Sequence, residues 1–139
     1  MIFDYVKQPS QIHPSHPWIP RPIIPVRLFH KAVDLDVYAL IDSGADASLF
    51  DAQVAQDLLI DLEAGRKQTL YGVSGHPIEV YFHKIKLQII GSKESIELEV
   101  GFTDATAYTA LLGQVDFFMH YQITFERAKE RIKITPAKP

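Results

Sequence analysis

The chain has 139 residues, 47% hydrophobic and 22% charged, which fits one globular domain with a single core and leaves no length for two lobes of ordinary size. Its 14 basic and 17 acidic side chains give a net charge of -3 with no basic run, which argues against nucleic acid as a partner. Cysteine is absent, which excludes disulfides, thiolate zinc sites and a cysteine nucleophile; no leader-like start or membrane-spanning apolar stretch is seen, so a soluble, unsecreted, cytoplasmic protein is expected.

Residues 9 to 25 hold six of the nine prolines: Pro9, Pro14, Pro17, Pro20, Pro22 and Pro25. Each removes a backbone donor and biases its predecessor toward extended geometry. Residues 1–22 are therefore expected to form an extended arm, lying on the surface or reaching a partner subunit, ahead of a domain at 23–139. Ile24, Val26 and Leu28, then Val37, Ala39 and Ile41, alternate with their neighbours and predict two strands joined across Phe29 to Asp36 as a hairpin. In DAQVAQDLL, Val54 and Leu58 share a helical face behind a capping Asp51, so a short helix is expected.

Between Glu79 and Ile90 the apolar positions are Val80 and Phe82, then Ile85, Leu87 and Ile89. The alternation changes phase at His83 and Lys84, which predicts a bulge or sharp bend. A turn at Gly91 to Lys93 leads into a strand carrying Ile96, Leu98 and Val100, with Ser95, Glu97 and Glu99 on the wet face. Thr103 to Thr109 reads as loop, ALLG at 110–113 as a short buried strand, and Gln114 to Met119 as one or two helical turns. ITFERAKERIKI closes the chain as a hairpin that pairs Ile123 and Phe125 with Ile132 and Ile134. Arg127, Lys129, Arg131 and Lys133 form its wet side. The sum is a mostly β domain with one or two short helices.

Within ALIDSGADASLF (39–50), Asp42 ends a hydrophobic run. A carboxylate there is expensive unless neighbouring donors satisfy it. Gly44 lets the backbone N–H approach without a Cβ, and the Ser43 hydroxyl can brace the loop. The six histidines, His13, His16, His30, His76, His83 and His120, are scattered without metal-ligand spacing, so no metal site is expected.

The order of apolar strand, Asp42-Ser43-Gly44-Ala45, short helix, then Ala110-Leu111-Leu112-Gly113 and a further turn resembles the retropepsin-like aspartic proteases, single-lobe viral and bacterial relatives of pepsin. LYGVSGHPIEV (70–80) stands where that family has its flap hairpin, GSKESIELEVGF matches the strand that follows, and the terminal hairpin resembles the one that closes pepsin-type lobes. The likeness covers most of residues 23 to 134. It implies a closed single-lobe β-barrel and an aspartic endopeptidase acting on a peptide or protein substrate without cofactor or metal. Because the chain holds one DSG, the second carboxylate must be Asp42 of a symmetry mate, so the likeness also implies a homodimer.

Carried over position by position, Asp42 is the catalytic carboxylate, Ser43 bonds across the twofold, and Gly44 supplies backbone contacts. Ala45 and Asp46 face the substrate, Asp46 either holding its backbone or standing as an exposed turn carboxylate. Tyr71, Gly72, Val73, Ser74, Gly75 and His76 form the flap, with Gly72 and Gly75 permitting hinge motion and His76 able to make closure pH-dependent. Gln114 stands where several viral members carry an arginine. An amide cannot make the same bidentate ion pair, so a dimer must be braced differently. The alternative is a retropepsin-like peptide-binding or dimerisation module without proteolysis.

Overall fold

Alternating apolar residues separated by turn signals make the chain a succession of strands. They are β1 (Ile2–Asp4), β2 (Val6–His13), β3 (His16–Arg21), β4 (Ile23–His30), β5 (Val33–Ile41), β6 (Leu49–Asp51), β7 (Arg66–Tyr71), β8 (Pro77–Ile89), β9 (Ser95–Thr103), β10 (Ala110–Leu112), β11 (Tyr121–Glu126) and β12 (Arg131–Pro136). Helix α1 (Ala52–Asp57) follows β6, and the Asp51 side chain caps it by accepting the Gln53 N–H at 2.8 Å. The computed structural model describes residues 1–72 and 74–138; Val73 and Pro139 lie outside the described residues.

Six strands close a barrel in the order β4, β5, β10, β6, β9, β8, and β8 returns to pair with β4. The core contains Ile24, Val26 and Leu28 of β4, Ala39 and Ile41 of β5, Leu98, Val100 and Phe102 of β9, and Val54 and Leu58 of the helical segment. Phe50 and Phe102 meet edge to face there, with centroids 6.0 Å apart. A second sheet, ordered β1, β12, β11, contributes Ile132, Ile134 and Tyr121 to the same core. Its register sets Ile123 opposite Ile134 and Phe125 opposite Ile132, as the sequence pattern predicts.

Three segments differ from expectation. The β4–β5 hairpin turns at Lys31 and Ala32 alone, and its strands run on through Phe29 and Asp36. Lys31 takes a positive φ of 53°, and Arg27 and Asp36, directly opposite, form a two-pronged ion pair at 2.6 and 3.0 Å. The phase change in β8 involves no bulge, because its register with β9 is continuous from Tyr81 to Gln88. The strand instead changes the face it buries: Ile85, Leu87 and Ile89 point into the barrel, whereas Val80 and Phe82 are buried on the other side. Gly101, opposite Phe82, leaves the space that the Val80 side chain fills.

The third difference is at 114–118, where the expected helical turns are interrupted. Val115 is extended (φ -71°, ψ 133°) and Asp116 has φ 71°. The Val115 N–H, which the first turn of a helix would leave without a partner, donates to the Asp46 carbonyl at 2.8 Å, and the Asp116 carboxylate accepts the Glu99 N–H at 2.9 Å. At the other end of the chain, residues 1–22 are extended, and their three strands are all paired. β1 joins β12, and β2 pairs with β3 across a turn at Pro14 and Ser15. Both β2 and β3 are edge strands, where a proline's missing donor is tolerated, and the register slips between Pro9 and His13.

Candidate active site

The buried end of β5 delivers Asp42 to the rim of the barrel. Its backbone N–H donates to the Leu112 carbonyl at 2.9 Å, continuing the parallel pairing of Leu40 with Leu111 and Ile41 with Leu112. Thus ALLG does run beside the strand that carries the DSG loop. The Asp42 side chain is half-buried, and its Oδ1 accepts the Gly44 N–H at 2.9 Å. A Cβ on residue 44 would sit 3.3 Å from that same oxygen, tighter than ordinary contact, so glycine suits the approach. The Ala45 N–H closes the turn onto the Asp42 carbonyl at 3.2 Å.

The loop is held from below by the segment after β10. Gly113 donates to the buried Ser48 hydroxyl at 3.0 Å, Gln114 N–H to the Ala45 carbonyl at 2.8 Å, and Gln114 Nε2 to the Ser43 carbonyl at 2.7 Å. Gln114, read from sequence as a missing arginine, is therefore a brace within its own chain. Ser48 was not singled out by sequence reasoning. The available signal was a small polar residue directly before the apolar Leu49-Phe50 pair, where a buried hydroxyl needs a partner.

Gly44, Ala45, Asp46, Ala47 and Leu49 form one wall of a groove of about 350 Å³, and Leu70, Tyr71, Gly72 and Ile78 of the β7–β8 hairpin form the other. The structure thus brings together two predicted groups that lie more than twenty residues apart in the chain. Ser74, Gly75 and His76 occupy the hairpin tip and do not line this groove. Gly75 has φ 77° and donates to the Gly72 carbonyl at 3.0 Å, which closes the turn; at Gly72 a Cβ would meet nothing. Val73, also expected in the hairpin, lies outside the described residues. A second hollow of about 350 Å³ is lined by Lys84, Glu97, Leu98, Glu99 and Asp116, mostly charged groups, with no residue of the DSGA loop.

A retropepsin-like aspartic protease from Rickettsia conorii superposes on this chain with a TM-score of 0.55, covering 81% of this chain and 89% of that one at 20% identity. The chain has the retropepsin-like fold. The EIAV protease, solved with the inhibitor HBY-793, is matched over 67% of this chain and 81% of its own, with a TM-score of 0.49 and 25% identity. No family model and no curated protein matches the sequence. In this retropepsin-like barrel the ALLG strand pairs with the strand that ends at Asp42, and residues 44–49 face the β7–β8 hairpin across one groove, whose lining includes neither Asp42 nor Ser43. Among the described residues, no helix is long and apolar enough to cross a membrane.

Proposed function

We propose that the protein is an aspartic endopeptidase that works as a homodimer, with Asp42 of each subunit forming the catalytic pair. The observation that carries this reading is the Asp42 carboxylate at the end of β5, satisfied on one oxygen by the N–H of Gly44, the residue at which a groove walled by Ala45, Asp46 and Tyr71 begins. Two carboxylates about 3 Å apart cannot both ionise comfortably and share one proton. One acts as base on a water held between them while the other protonates the scissile carbonyl oxygen. An extended peptide lies in the groove, its backbone met by Gly44 and Asp46, and the β7–β8 hairpin closes over it as a flap through the turn at Gly75. With Gln114 engaged by its own Ser43 carbonyl, the dimer is braced by other contacts, and Ser43 is free to bond its counterpart across the twofold.

Asp42→Asn is the test. It keeps an oxygen to accept the Gly44 N–H and should retain the fold and the dimer in sedimentation, while cleavage of a peptide library falls by about 10²–10⁴-fold or more. Peptide cleavage by the asparagine variant at the parent rate would sink the proposal. Peptide binding without turnover from acidic to neutral pH would leave a binding module, and a strict monomer at micromolar concentration would remove the shared dyad.

A further inference from the structure

The β2–β3 hairpin contributes almost nothing to the core, yet it exposes Ile12 by 76% and Trp18 by 57%. An isolated two-stranded hairpin is marginal in water, and covering an exposed apolar side chain on it would be favourable. The pairing of Lys7 with Pro20 and of Pro9 with Trp18 sets these four residues on one face. Lys7, Pro9 and Trp18 on that face are exposed, and the base of the hairpin is fixed. The Tyr5 N–H donates to the Glu130 carbonyl at 2.8 Å and anchors the base of the hairpin to the turn between β11 and β12. A cleft of about 270 Å³ results, lined by Lys7, His16, Trp18, Pro20, Arg127 and Glu130.

The cleft is basic in a chain whose net charge is -3. Glu130 is its only carboxylate, and it stands 3.9 Å from Arg127, a loose and exposed pair. Lys7 makes no ion pair among the described residues. We propose that this cleft is an exosite for an acidic, extended peptide segment: Lys7 and Arg127 meet its carboxylates, and the Trp18 indole, on the same face as Pro9 and Pro20, packs against its backbone and apolar or proline side chains. Trp18 offers a rigid apolar plane at low entropic cost, and extended or proline-bearing peptides suit aromatic faces of this kind. A polyanion such as single-stranded nucleic acid is disfavoured, because it needs a longer cationic track and would meet a negatively charged protein beyond the cleft. The site is separate from the groove between residues 44–49 and the β7–β8 hairpin in every lining residue.

Trp18 is the one tryptophan in the chain and so reports on the cleft directly. Titrating the full protein with a dodecapeptide of alternating glutamate and proline should shift or quench its emission saturably, and added salt should weaken the binding. Lys7→Glu combined with Arg127→Glu should weaken it by roughly tenfold or more. Trp18→Ala, read by anisotropy of the labelled peptide, should weaken it as well, and both variants should keep the parent far-ultraviolet circular dichroism. No saturable response, an equal response to a lysine–proline dodecapeptide, unchanged affinity in the charge-reversed variant, or tighter binding of a single-stranded DNA dodecamer would each overturn the proposal. None of these readouts depends on proteolysis.

Discussion

Gly113→Ala tests whether the DSG loop is clamped to the strand beside it. The Gly113 backbone is extended (φ -111°, ψ -172°), a conformation that alanine adopts without strain, so any cost is steric. The new Cβ would lie 2.6 Å from the Ala47 carbonyl oxygen, 2.7 Å from its carbon and 2.8 Å from the Ala45 carbonyl oxygen. All three are backbone atoms and cannot rotate aside, so β10 and the loop must separate by about half an ångström or more to restore ordinary contact. Overpacking of this kind costs about 1–3 kcal/mol. The same separation stretches the bonds from Gly113 to Ser48 (3.0 Å) and from Gln114 to Ala45 (2.8 Å). Leaving one buried N–H unsatisfied adds about 1–3 kcal/mol. The expected loss is about 2–6 kcal/mol, a large part of the stability of a domain this size. Urea unfolding followed by far-ultraviolet circular dichroism should show a lowered midpoint with unchanged slope. Ser48→Ala alone should cost about 1–3 kcal/mol, and because the two changes strike one contact, the double variant should lose less than their sum. A Gly113→Ala protein within about 0.5 kcal/mol of the parent would refute the clamp.

Gly101→Ala would drive a Cβ into the Val80 side chain and to 3.0 Å from Leu49 Cδ2, so a loss of about 1–3 kcal/mol is expected by urea unfolding, and Val80→Ala in the same chain should recover part of it. If Val80→Ala only added to the loss, the face change in β8 would be misread. Gln114→Glu removes the donor to the Ser43 carbonyl (2.7 Å) and sets a carboxylate under the DSG loop, so kcat/KM on a peptide should fall further than in Gln114→Ala, which loses one hydrogen bond worth about 1 kcal/mol. Equal activity in the two variants would argue against the brace. The Glu126 carboxylate is held down to about 2 by hydrogen bonds from Arg131 and Lys133. Its folded value lies below the ordinary 4.5, so its contribution is complete above that pH and fades as pH falls from 4.5 toward 2. The Tm gap between parent and Glu126→Gln should accordingly close on acidification and shrink with salt; a gap that persisted at about pH 2 would mean that the charge is not its source.

Local periodicity carried most of the fold. The pairings of Ile123 with Ile134 and of Phe125 with Ile132, the Asp51 cap on α1 and the burial of Ile85, Leu87 and Ile89 are legible because strand and helix repeats and capping chemistry are properties of neighbouring residues. The readings that differed turned on partners distant in the chain. Whether Val80 and Phe82 require a bulge depends on what covers the second face of β8, and Gly101 lies about twenty residues away. Val115 is held extended with its N–H on the Asp46 carbonyl, almost seventy residues earlier. In the arm, the prolines do enforce extension, but extension alone does not say whether two extended segments pair.

The candidate site divides in the same way. By itself the sequence determined that Asp42 ends a buried strand with a glycine two residues on, that ALLG is apolar and short, and that glycines punctuate residues 72–75; these follow from residue chemistry at short range. Only the tertiary structure decided that Leu112 hydrogen-bonds Asp42, that Ser48 and Gln114 hold the loop from beneath, and that Ala45 and Tyr71 face each other across one groove. Those contacts join segments about seventy residues apart, and the insertion of β10 between β5 and β6 brings them within bonding distance.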